Sequence, residues 1–126
     1  MILHTCSWRA YRPGLGQPVR TSLGKPRWLL PEAATWPVLW EATPRGHYFG
    51  APAEVFEDCY LEQLETYGAR RIARRLAAIT RQTGAQTLLL ACFEADPEQC
   101  HRSALAAWWL LATGERITEI RQENES

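Results

Sequence analysis

The fold is decided by the stretch 86-QTLLLACFEADPEQCHRSALAAWWLLATG-114. It opens with a near-continuous apolar run, Gln86 to Phe93, of the kind carried by a strand covered on both faces. Asp96 then offers a side-chain cap and Pro97 suits a first helical position, so a helix is expected to start there. That helix stops at Gly114, and Arg116 to Ile120 (RITEI) reads as a short final strand. Cys100, His101 and Arg102 open a segment that carries no further charge until Glu115.

Working outward, the same alternation of period recurs. Ala53 to Tyr67 places Phe56, Tyr60, Leu64 and Tyr67 at helical spacing, Gly68 interrupts, and Ala69 to Thr83 continues with Ile72, Leu76 and Ile79 inward before Gly84. Met1 to Ser7 reads as a strand with Ile2, His4 and Cys6 on one face. Pro37 to Ala42 (PVLWEA) reads as another. Between them, Trp8 to Pro31 is punctuated by Pro13, Gly14, Gly16, Pro18, Gly24, Pro26 and Pro31 and is expected to be a long loop. Strands separated by helices predict an α/β fold. The expectation is a single domain over residues 1–126, with a mainly parallel sheet of about four strands flanked by helices in Rossmann-like layers.

The bulk numbers agree. A chain of 126 residues, 46% hydrophobic and 22% charged, is long enough for one core and too apolar for wholesale disorder. The longest apolar run, Ala104 to Thr113, is half of the ~20 residues a bilayer span needs, so no membrane association is expected. No secretion signal is visible, and a cytoplasmic location is expected. The four cysteines have no CxxC spacing and are expected to be reduced. Net charge is zero, yet residues 1–31 hold Arg9, Arg12, Arg20, Lys25 and Arg27 with no acid.

In a parallel sheet, ligands bind beyond the carboxyl ends of the strands. The acid-free loop after the first strand and the segment Glu94 to Arg102 both leave from such ends. The expected site is an anion pocket. Arg102 and the open helix amides hold a phosphate-bearing ligand, Arg9 or Arg12 completes the clamp, and Cys6 and His4 stand with the ligand-binding positions. Glu94, His101 and Cys100 are the candidate catalytic groups, with Glu94 and His101 for proton transfer. Whether the ligand is turned over, as by an enzyme acting on a nucleotide or nucleic acid, stays open. The alternative is a non-catalytic module that binds nucleic acid or a protein through the basic N-terminal loop. A third reading makes Cys-His-Arg a structural lock, with His101 and Arg102 bonding that loop.

Sharper motifs are weaker. Cys6 and Arg12 have the spacing of cysteine phosphatases, but Pro13-Gly14 follows where a helix must begin. His4, Cys6, Cys92 and Cys100 lack a zinc spacing, so no metal and no cofactor are expected. Arg70, Arg71, Arg74, Arg75 and Arg81 form a basic stripe that reads as a solvated outer face, remote from the strand-end rim. The final helix is apolar all round, which calls for cover from the Trp28–Trp40 segment or from a second subunit in a homodimer.

The block Leu88 to Leu105, with Cys92-Phe93-Glu94, Asp96-Pro97 and Cys100-His101-Arg102, resembles the uncharacterised prokaryotic family called domain of unknown function 488, in a compact variant. Phe56 and Tyr60 resemble family positions too. The resemblance implies an α/β fold and supplies no activity.

Overall fold

The computed structural model describes residues 1–22, 35–48, 50–92 and 101–121. Four strands form one sheet: β1 (Ile2–Ser7), β2 (Gln17–Arg20), β3 (Thr87–Cys92) and β4 (Thr118–Ile120), in the order β2-β3-β1-β4. Every pairing is parallel. Among the described residues, three helices, α1 (Ala53–Tyr67), α2 (Ala69–Thr83) and α3 (His101–Thr113), complete an α/β architecture. The expected Asp96-Pro97 start of the last helix lies outside the described residues.

Two strands differ from expectation. The run read as a loop contains β2, an edge strand. Pro18 is tolerated there because its missing N–H points outward: Thr21 N bonds Ala91 O on β3, whereas Arg20 N turns to Pro37 O. Gly16 supplies the approach, since a Cβ at its position would stand 2.9 Å from the Thr87 carbonyl oxygen, and its φ is +153°. Among the described residues, the segment PVLWEA, read as a strand, pairs only through Val38 with Arg20. It then tightens into a 3-10 turn at Trp40–Ala42, closed by Thr43 N on Trp40 O.

Register decides which side chains meet. Partners across a parallel ladder share a face, so Leu3, Leu88, Leu90 and Val19 look the same way. That face carries the main core, packed against Tyr60 and Leu64 of α1, Ile72, Leu76 and Ile79 of α2, and Leu105 and Trp108 of α3. The opposite face, with Cys6, Leu89 and Ala91, is covered by Trp8, Ala10, Tyr11 and Trp36 rather than by a described helix. Trp8 and Trp36 stack there at 5.1 Å. Trp36 therefore does not roof α3, whose Leu111 is 88% exposed. Among the described residues, no helix is long and apolar enough to cross a membrane.

Helix α2 ends at Gly84, in the left-handed region with φ +73°, near the start of β1, where Thr80 contacts Met1. Its first turns consequently lie toward the carboxyl ends of the strands. Arg75 Nη2 donates to Val38 O at 3.1 Å, beside the Arg20 bridge. The basic stripe is closer to the rim than its sequence position suggests.

Candidate functional site at the carboxyl ends of the strands

Helix α3 begins at the carboxyl end of the sheet and delivers two buried polar side chains. Arg102 is 1% exposed. Its Nε donates to Glu119 Oε1 at 3.1 Å and its Nη2 to Glu119 Oε2 at 3.0 Å, a bidentate fork. Its Nη1 lies 3.1 Å from Cys92 Sγ. Glu119 also accepts from Thr5 Oγ1 at 2.6 Å, because the β1–β4 register sets Thr5 opposite Glu119. The guanidinium at the mouth of α3 thus ties β1, β3, β4 and the helix together.

His101 Nε2 stands 3.1 Å from Thr21 Oγ1, at the end of β2. The Thr21 hydroxyl donates to Ala91 O at 3.0 Å, so it accepts from the imidazole, and His101 is the Nε2–H tautomer. Burial depresses the His101 pKa to about 4, outweighing the hydrogen bond to Thr21, and the Arg102 charge lowers it further. The ring is neutral near pH 7.

The other sequence candidates are dispersed. Cys6 is fully buried, and burial, assisted by the Glu119 charge, pushes its thiol up to about 12 against the lowering influence of Arg102 and Arg12. A thiol so held stays protonated and is no nucleophile. That removes the Cys6/Arg12 phosphatase arrangement on chemical grounds. His4 bonds Thr118 Oγ1 at 2.8 Å, along the ladder rather than at its end. Arg9 and Arg12, both exposed, lie in and just after the turn that follows β1, where Arg12 Nη1 donates to Arg9 O and Tyr11 O. Glu94 and Cys100 lie outside the described residues. Among the described residues, no group of three or more His, Cys, Asp or Glu side chains is placed to hold a metal ion.

Two features escaped the sequence reading. One is Glu119, although strand alternation puts it on the side of the buried Ile117, and an acid facing the core asks for a cation. The other is Arg20, which the sequence offers only as one of the loop's cations; its Nε is buried with no hydrogen-bond partner among the described residues.

The cysteines also differ from the expectation of four reduced thiols: Cys92 is disulfide-bonded, whereas Cys6 and Cys59 are free. In denaturant, Cys6 and Cys59 are expected to alkylate directly, and Cys92 only after reduction. Peptide mapping by mass spectrometry reads this, and modification of Cys92 without reductant would contradict it.

A family model described as domain of unknown function DUF488 matches residues 41–109, more than half of the chain. The chain belongs to the DUF488 family. The match takes in Glu41, α1, α2, β3 and the start of α3 through Trp109, so His101 and Arg102 fall inside it, while Thr21 and Glu119, which they bond, fall outside. No curated protein and no solved structure matches the chain.

Proposed function

We propose that this DUF488 protein binds a small phosphate-bearing anion at the carboxyl-end rim, on the sheet face opposite the helices. Arg20 and Arg12 are its cationic contacts, and the His101–Arg102 pair is the frame. The observation that carries this reading is the buried Arg20 Nε, which has no hydrogen-bond acceptor among the described residues. A buried guanidinium N–H left unsatisfied costs on the order of 1–3 kcal/mol, and an anion oxygen would recover it. The pairing of Arg20 with Ala91 sets it on the Trp8–Trp36 side of the sheet. Arg12 acts electrostatically on Cys6, which belongs to the same face. Arg102 is spoken for by Glu119 and does not contact the ligand in this reading.

The test is isothermal titration of pyrophosphate into the full chain and into the Arg20→Ala, Arg12→Ala and Arg102→Lys variants. Arg20→Ala is expected to weaken binding at least tenfold with its thermal midpoint kept, and Arg12→Ala to weaken it less. Full retention of binding in Arg20→Ala, or a loss confined to Arg102→Lys, would sink the assignment.

A further inference from the structure

Helix α2, ARRIARRLAAITRQT, holds five arginines and no acid. Four of them crowd its first two turns. That end of a helix is electrostatically positive, and Arg70/Arg74 and Arg71/Arg75 are like-charged pairs one turn apart, so both local rules are broken at the same place. The fold offsets only part of this. Glu41, with its side chain 4% exposed, accepts from Arg71 at 3.1 Å and from Arg75 at 3.4 Å. Burial pushes the Glu41 pKa up, but its backbone hydrogen bond and the two arginines outweigh that and hold it below the ordinary carboxylate range. One carboxylate therefore faces two cations. Arg45 adds a third, donating to Tyr67 Oη at 2.7 Å, while the Arg71 guanidinium lies 5.1 Å from the same ring.

Arg70, Arg74 and Arg81 are exposed and form no ion pair among the described residues. Positions 70, 74 and 81 fall within about 40° of one another around a helix and span about 16 Å of its axis. One strand of a nucleic-acid duplex presents about five phosphates over that length. Ala77, in the same stripe, leaves room for close approach. Arg81 and Ala77 also line an open cleft of about 380 Å³ with Met1, Thr80, Gly84 and Gln86. Protein partners are anchored by aromatic or large apolar side chains at the centre of an interface, and this stripe has none. Exposed guanidinium groups along one helix face, with a small residue between them, suit a phosphodiester backbone.

We propose that the outward face of α2 docks the phosphate backbone of a nucleic-acid duplex without reading its sequence. The proposal stands apart from the rim site, since it uses neither Arg20 nor Arg12. It is tested by fluorescence anisotropy of a labelled DNA duplex with the full chain at 50 and 200 mM salt. The expected slope of log affinity against log salt is about −3, from three phosphate contacts. Arg70→Glu/Arg74→Glu/Arg81→Glu should weaken binding at least tenfold, with Arg70→Gln/Arg74→Gln/Arg81→Gln as the milder check should the first variant misfold. Both sets leave the Glu41 pairs intact. Wild-type affinity in the glutamine variant overturns the proposal, as does tighter binding of polyglutamate than of duplex at equal salt.

Discussion

Arg102→Ala is expected to lower stability by about 3–5 kcal/mol with no ligand present, the range for removing one partner of a buried ion pair. For a chain of this size the thermal midpoint should fall on the order of 10–20 °C. The reason is asymmetric. Arg102 is almost wholly buried and Glu119 is 15% exposed, so truncation strands a carboxylate, and it also strips a donor from Cys92. Thr5 remains as a neutral donor to Glu119. Replacing both members of the pair, as in Arg102→Met/Glu119→Leu, should restore much of the loss, because apolar groups of similar volume need no pairing. The single change should hurt more than the double. Urea unfolding of the three proteins measures this. An Arg102→Ala variant within 1 kcal/mol of the parent would show that the fork holds little together.

The same pair shows where the sequence was legible. Helices α1 and α2 fall on the residues their periodicity marks, because Gly68 and Gly84 punctuate clean amphipathic runs. Strand β3 follows from its apolar run, β1 from the alternation of Met1 to Ser7, and β4 falls within the expected Arg116–Ile120 segment. β2 did not, since Gln17-Pro18-Val19-Arg20 is four residues long with a proline inside and a glycine before it; the close approach of Gly16 to Thr87 that explains it is a tertiary fact. The lateral order of strands has no local signature either. Only when β4 settles beside β1 does Thr5 meet Glu119, and only then does Arg102 change from an open anion donor into a tie. His101 and Arg102 stand out in the sequence at the mouth of the last helix; their partners Thr21 and Glu119, 80 and 17 residues away, do not.

Acid lability should centre on His101. Its folded pKa of about 4 lies below the ordinary value of 6.5 because the ring is buried, edge-on to Tyr60 at 5.2 Å. Between those values the unfolded chain binds a proton that the folded chain refuses, so stability falls as the pH drops. The contribution is fully present above pH 6.5 and is lost progressively toward pH 4. From pH 7 to pH 5 the expected loss is about 2 kcal/mol. Glu41 contributes stability above the ordinary carboxylate pKa, and that is lost as pH falls through its lower folded value, so its loss follows at more acid pH. His101→Gln keeps an N–H donor for Thr21 but cannot titrate. It should be less stable than the parent at pH 7 through imperfect packing, yet nearly insensitive to pH between 7 and 5. Thermal midpoints of both proteins at half-unit intervals decide the matter. A parent curve flat over that range, or an equal slope in His101→Gln, would mean that the imidazole is hydrated in solution. The contact between α3 and the end of β2 would then be looser than a closed lock.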